Sequence, residues 1–392
     1  MRTGNPELAR EINYTLILDL LRAKSPISRV EISKSLNLSK VTVSTIVNAL
    51  VKDGLIVEIG EGIGAEKGGR KPILLALNHS CRYVVGVDIG TTNTAIAIGN
   101  LGGEIIDKTQ RPTSRDRSFN RVFDQVACLV NEIIDTAGIE RGKVLGLGVS
   151  VPGLVETQSG IIRLSPDLNW KNVAINSLLR EQTDLDVVSE NCTRAMLLGE
   201  KLYGKAKDEE NVFYVNLGYG VGSAIMINNE IYSNHSEFGH TFVSEKPMQC
   251  HCGNFGCLEA VASGNAIERM ANNSCNNSKK WVSAKMAADA AKKGDTKLIK
   301  IFDEVGMYLG RAISMAANLF NPDKIILGGG VTLCGKLLLD PLKKEYENHI
   351  MSGIKSHSMI EISSLGLDAG AFGAIALALN KFIFKPEKIH SF

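Results

Sequence analysis

One plan, an apolar strand entering a glycine turn and a second strand leaving it, occurs twice in this chain and constrains the fold more than any other feature. In the first copy Tyr83-Val84-Val85-Gly86-Val87-Asp88-Ile89 runs into Gly90-Thr91-Thr92, and Thr94 to Gly99 resumes a strand. The second copy begins roughly 130 residues later: Val212 to Leu217 runs into Gly218-Tyr219-Gly220-Val221-Gly222, and Ser223 to Ile227 leaves toward the hairpin turn Asn228-Asn229. Such a repeat predicts a duplicated α/β body with a cleft between two lobes. Glycine turns of this kind present backbone N–H groups that suit phosphate oxygens, although tight hairpins share the pattern.

The residues ahead of this body follow a different rule. Met1 to Asn78 carry 11 Lys/Arg against 8 Asp/Glu, leaving 33 against 34 for the remainder, so a basic head sits on a neutral body. Pro6 opens an amphipathic helix with Ile12, Leu16, Leu20 and Leu21 on one face, Ser28 caps a short helix through Leu36, and Ser39 caps a third helix. In that third helix Val43, Ile46, Val47 and Leu50 make one buried stripe. Its other face holds Lys40, Thr42, Ser44, Thr45 and Asn48, which with Ser39 form a set of short polar groups without a carboxylate, suited to phosphates and base edges. Leu55 to Ile59 and Ile73 to Leu77 predict the strands of a wing. Residues 58–72 form its glycine-rich linker, with Lys67, Arg70 and Lys71 at a tip slim enough for a minor groove. Residues 1–78 are therefore expected to be a winged helix-turn-helix DNA-binding domain of α+β type, and residues 79–392 a separate two-lobed α/β body.

Composition removes other classes. With 392 residues, 44% hydrophobic, 22% charged and a net charge of +2, the chain has too much apolar surface and too little self-repulsion for disorder. Its most apolar stretch, Ala371 to Leu379, is far shorter than the ~20 residues of a bilayer-crossing helix and predicts a buried terminal helix instead. The opening Met1-Arg2-Thr3-Gly4-Asn5-Pro6 begins no export signal, so a cytoplasmic location without membrane attachment is expected. Of the eight cysteines, Cys250, Cys252 and Cys257 cluster while the others stand apart, which argues for one metal site rather than a disulfide framework.

Several motifs together carry a resemblance. Asp88-x-Gly90-x-Thr92, Val151-Pro152-Gly153, Glu237-x-Gly239-His240, Cys250-x-Cys252-Gly253-x-x-Gly256-Cys257-x-Glu259 and Leu327-Gly328-Gly329-Gly330 resemble the ROK family of sugar kinases and repressors over nearly the whole chain. The head resembles the repressor branch, and Ser25-Pro26-Ile27-Ser28-Arg29, Gly68-Gly69-Arg70-Lys71-Pro72 and Asn169-Trp170 are most similar to its xylose repressors. The resemblance implies the two-lobed α/β fold of the actin, hexokinase and Hsp70 ATPases. It implies sugar-contacting positions at Asn169, Asn191, Glu237, His240 and Glu259, with Trp170 lining the same cleft. A helix cap at Glu237 and a core place for Trp170 are the ordinary alternatives. His240, Cys250, Cys252 and Cys257 offer one imidazole and three thiolates, the set for a closed, structural Zn(II), with His251 as a spare ligand.

The same resemblance exposes departures. The kinases of the family carry Asn-Asp-Ala-Asn, whose Asp accepts the proton from the attacking sugar hydroxyl. Here Glu190-Asn191-Cys192-Thr193-Arg194-Ala195 puts Cys192 in the place of that base, and a thiol with a pKa of about 8.5 is a poor substitute. Arg194, where the kinases have Asn, bears on which sugar is bound; Asn93 stands where they have Lys, and Tyr219 where they have a small hydroxyl residue. These changes predict sugar binding without phosphoryl transfer, and no use of ATP. The expectation is a sugar-responsive repressor with xylose as inducer and glucose second, bound to palindromic operator half-sites as a homodimer or tetramer. An active ATP-dependent sugar kinase with an accessory head is the alternative, and a repressor answering to a protein partner is a third reading.

Overall fold

The computed structural model describes residues 6–62, 71–274, 283–355 and 359–384. In the head, α1 (Pro6–Lys24), β1 (Ile27–Ser28), α2 (Arg29–Ser35), α3 (Lys40–Lys52), β2 (Ile56–Glu61) and β3 (Ile73–Leu77) follow in order, with the strands arranged β1-β3-β2. Both expected caps form. The Ser28 hydroxyl accepts from Glu31 N, and the Ser28 backbone N–H donates back to Glu31 Oε2 at 2.8 Å, a complete capping box. The hydroxyl and backbone N–H of Ser28 hold the Glu31 carboxyl below its usual range. Ser39 Oγ accepts from Thr42 N at 3.0 Å, and α3 buries Val43, Ile46, Val47 and Leu50. Antiparallel β2 and β3 make the wing. Lys67 and Arg70 lie outside the described residues, whereas Lys71 is exposed, 3.8 Å from Glu61.

The first lobe is built from β4 (Tyr83–Ile89), β5 (Asn93–Asn100), β6 (Ile105–Pro112), α4 (Phe119–Thr136) and β7 (Val144–Val151). A small antiparallel sheet of β8 (Leu154–Glu156), β9 (Ile161–Ser165) and β10 (Trp170–Val173) follows, then α5 (Ile175–Thr183), β11 (Val187–Asn191) and α6 (Cys192–Tyr203). The second lobe starts with β12 (Val212–Leu217), β13 (Val221–Ile227) and β14 (Glu230–Ile231), continues through α7 (Leu258–Ala262), α8 (Gly264–Ser274), α9 (Ala284–Lys292) and α10 (Thr296–Phe320), and adds β15 (Lys324–Gly328), α11 (Lys336–His349), α12 (Ser352–Lys355) and β16 (Met359–Ile362). The two main sheets, β11-β7-β4-β5-β6 and β16-β15-β12-β13-β14, have the same order and the same sense of every pair. The twofold plan in the sequence is therefore a true duplication of a five-stranded unit. Asn228 and Asn229, both at positive φ, make the expected tight hairpin turn.

The last helix, α13 (Ala369–Leu379), returns to the first lobe and lies on β4, β7 and α6. Its small residues allow the approach: a Cβ at Gly370 would sit 2.0 Å from Asp88 Oδ2, and one at Gly373 would sit 2.5 Å from the Ala195 carbonyl carbon. The helical run Gly366–Phe384 has the length and apolar composition to cross a bilayer, more than Ala371 to Leu379 alone suggests, but its centre is buried core. On its other side, Ala371, Ile375, Ala378, Leu379 and Phe384 join Ile17, Leu18 and Leu21 of α1 in one apolar cluster, and the Arg22 guanidinium lies 5.3 Å from the centre of the Phe384 ring. The head is thus packed onto the body by the first sheet and by Asn380–Phe384, the segment that follows α13.

Candidate sugar cleft and metal centre

A cleft of about 470 Å³ separates the lobes. The first lobe lines it with the Asp88 to Thr92 turn, Pro152 to Leu154, Pro166, Asp167, Asn191 and Cys192; the second with Gly218 to Gly222, Glu237, His240, His251 and Glu259. Both glycine turns of the repeat face this space, because each leaves the C-terminal end of a central strand at the same place in its sheet. Concave, mostly pre-formed sites with a few convergent polar groups are where small ligands bind.

Four of the five expected sugar positions line the cleft. Glu259 is nearly buried at the start of α7, where Oε2 accepts from Val221 N at 2.9 Å and Oε1 lies 2.9 Å from His251 Nδ1. Glu237, half exposed, opens the short helical turn Phe238–His240, and its Oε2 lies 3.9 Å from His240 Nε2. Its carboxylate makes no cap hydrogen bond there, so the helix-cap alternative does not apply. Asn191 caps α6, its Oδ1 accepting from Thr193 N and Arg194 N while Nδ2 donates to Gly153 O at 2.9 Å. Only one of its amide hydrogens is left for a ligand.

Asn169 is not part of the wall. It occupies an exposed left-handed turn position (φ 58°) between β9 and β10, and Pro166 and Asp167 line the cleft in its stead. Trp170 is a core residue, 3% exposed, packed edge-on against Phe123, with its indole N–H donating to Arg117 O at 2.6 Å. Sequence reasoning missed Asp167, for which no pattern existed. His251 does lie beside His240, their ring centres 5.5 Å apart, and it also faces Glu259 and, across the cleft at 3.9 Å, Asp167.

The thiol at position 192 begins α6 deep in the cleft floor. Burial, with the nearby Asp88 charge, pushes it up to about 12, so it stays protonated and cannot accept a proton at neutral pH. Asp88, partly buried at the cleft floor, has its carboxyl raised by desolvation and accepts from Ser150 Oγ at 2.6 Å. Tyr219 stands 54% exposed in the second glycine turn, occupying space beside the cleft. Arg194 departs from a mere surface polar group: it is 6% exposed, donates from Nε to Glu190 Oε1 at 2.8 Å, and binds the carbonyls of Val155, Ser233 and Asn234. It thereby fastens the loop that leads to Glu237 onto the first lobe.

Beside the cleft, the ligand atoms of His240, Cys250, Cys252 and Cys257 lie within 4.8 Å of one another. Cys252 Sγ to Cys257 Sγ is 3.7 Å and Cys250 Sγ to His240 Nδ1 is 3.6 Å. A tetrahedral ion with bonds of about 2.3 Å to sulfur sets neighbouring sulfurs about 3.7 Å apart, so the cluster fits a metal of that geometry. It is too wide for a disulfide, whose sulfurs sit about 2 Å apart. The His240 ring turns Nδ1 to this cluster and Nε2 toward Glu237 and the cleft, which joins the two sites through one imidazole.

Comparison with known proteins agrees with both halves of this architecture. The ROK family profile matches residues 84–381, and a winged helix-turn-helix DNA-binding profile matches residues 13–57. The xylose repressor of Caldicellulosiruptor bescii is 30% identical over 398 residues, spanning 98% of this chain and 99% of that protein. A crystal structure of a ROK family transcriptional regulator, a homologue of the E. coli MLC protein, superposes with a TM-score of 0.83 at 27% identity over 95% of this chain and 96% of its own. The ROK family glucokinase of Streptomyces griseus, solved with glucose and AMPPNP, reaches a TM-score of 0.69 at 27% identity, covering 76% of this chain and 100% of its own. Repressors match the chain end to end whereas this kinase leaves about a quarter of it uncovered, and a DNA-binding profile occupies the head: the protein belongs to the ROK family, in its branch of transcriptional regulators.

Proposed function

We propose that the protein is a transcriptional repressor whose grip on operator DNA is released by a small sugar, with xylose as the inducer and glucose as the second candidate. Residues 1–78 are the DNA-binding domain and residues 79–392 the sensor. Ser39, Lys40, Thr42, Ser44, Thr45 and Asn48 face the major groove, and Lys67, Arg70 and Lys71 the minor groove, of palindromic half-sites read by a homodimer, or two dimers paired as a tetramer, in the cytoplasm. Asn191, Glu237, His240 and Glu259 receive the sugar hydroxyls, with Asp167 and His251 in place of Asn169. Their polar atoms converge from both lobes, so a bound sugar favours the closed cleft and changes the spacing of the two heads. His240, Cys250, Cys252 and Cys257 would hold a structural Zn(II), which supplies a rigid link between the Glu237 and Glu259 segments without an open coordination position.

The single observation that carries this reading is a convergent polar cleft with the Cys192 thiol at its floor, in a chain that also bears a winged helix-turn-helix head. The test is binding of the full-length protein to DNA from upstream of its own gene, at fixed salt, with a panel of sugars including xylose and glucose. Release by one sugar is the expected result. Tight binding indifferent to every sugar moves the effector to a protein or a phosphorylated metabolite. Sugar-dependent ADP release from ATP would restore the kinase alternative.

A further inference from the structure

Val41, Thr45 and Asn48 stand exposed in one row on α3, spaced i, i+4 and i+7. Val43, Ile46, Val47 and Leu50 of the same helix are buried to 2% or less and Val51, in its last turn, is 38% exposed, whereas Val41 is 77% exposed. The head gains nothing from it there, since a β-branched residue lowers helix propensity and an exposed one buries no surface. The polar groups beside it are already engaged inside the head. Thr45 Oγ1 donates to Val41 O at 3.0 Å, which leaves its methyl as the group free to meet a partner. Thr42 Oγ1 lies 2.8 Å from Ser39 Oγ within the cap. Asn48 Oδ1 accepts from Arg29 Nη1 at 2.8 Å, which leaves its NH2 to donate, and Arg29 is held in turn by Glu58 Oε1 at 3.2 Å. The row therefore displays methyl, methyl, donor over roughly 10 Å of helix axis, about three base-pair steps.

In the major groove only thymine offers a methyl group, and T O4, A N7 and the G edge offer acceptors, while cytosine N4 offers a donor. We infer that α3 reads a thymine-rich step by methyl contact, Val41 and Thr45 packing against the 5-methyl groups of neighbouring thymines while Asn48 donates to the acceptor of the next base. Arg29 acts as a positioning residue that fixes which end of the Asn48 amide faces the groove. This specificity rests on the proposal that α3 enters the major groove.

The test starts by selecting preferred duplexes from random DNA with the full-length protein at fixed salt. Each thymine of the recovered half-site is then replaced by deoxyuridine, which deletes the methyl and nothing else. The expected result is a loss of roughly three- to fivefold at one or two positions, the size of one buried methyl group. In Val41→Ser the loss at one of those positions falls below about twofold and the other persists, which assigns the contact. Unchanged thermal melting of Val41→Ser excludes a folding effect, as its exposed position requires. Selected sites that bind tightly yet tolerate deoxyuridine everywhere within about twofold overturn the methyl readout and leave the DNA-binding head intact. Recovery of no preferred sequence overturns the head's assignment itself, and the methyl readout with it.

Discussion

Replacing Arg194 with methionine keeps the volume of a buried side chain and removes its charge. Arg194 pairs with Glu190, whose side chain is only 14% exposed, and also satisfies three backbone carbonyls. After the substitution the Glu190 carboxylate keeps the Thr157 hydroxyl at 2.7 Å and the Asn191 N–H at 2.6 Å, but no cation. Removing one partner of a buried pair costs about 3–5 kcal/mol because the other charge stays desolvated. For a body of this size that is a fall of roughly 4–8 °C in its melting midpoint. In a Trp281→Phe background, fluorescence of buried Trp170 reports the transition of the first lobe. Glu190→Gln combined with Arg194→Met should recover more than half of the loss, since the double variant strands no charge. Sugar affinity should fall several-fold in both, because the Ser233 and Asn234 carbonyls lose their anchor and Glu237 follows them. A single variant that melts within about 1 °C of the parent, or a double variant worse than the sum of its parts, would refute the buried-charge argument.

Ser28→Ala removes the capping box of α2 and should destabilise the head by about 1 kcal/mol, read from its amide exchange. The Glu31 share of that term is present in full above the unfolded carboxyl pKa of about 4.3 and disappears as pH falls through its lowered folded value, so parent and variant should converge in acid. The chain should carry one zinc per molecule by elemental analysis; Cys257→Ser or strong chelation should remove it and lower the melting midpoint of the body. Phe384→Ala empties the space between Asn380–Phe384 and α1, and should cost about 3–5 kcal/mol while loosening head and body together; a loss confined to one of them would deny their shared core.

The head was legible residue by residue because its signals are local: Ser28 and Ser39 cap where they stand, and Val43, Ile46, Val47 and Leu50 need only helical spacing to define a buried face. The duplicated sheet was equally legible, since each glycine turn marks the end of a strand within a few residues. The cleft was read less well. Asp167 and His251 are 84 positions apart and meet only after both lobes fold, so neither periodicity nor spacing announces them. Asn169 failed for the opposite reason: two residues after Asp167 the chain turns through a left-handed conformation and carries its side chain out of the wall. Arg194 looked like a change of ligand specificity, but three of its partners are carbonyl oxygens, which any sequence supplies and no sequence marks.

The close seating of α13 has a mechanical consequence. Gly370 rests against Asp88 in the cleft floor, and the same helix runs on into Asn380–Phe384, where Phe384 lies against Arg22 of α1. Eleven residues of helix make a rigid rod about 16 Å long. A tilt of about ten degrees at its cleft end carries the other end through roughly 3 Å, close to the 3.4 Å rise between stacked bases. With glycine contacts that leave little slack at Asp88 and Phe384 against Arg22 just beyond its end, such a rod would pass a small tilt at the cleft on to α1 with little loss.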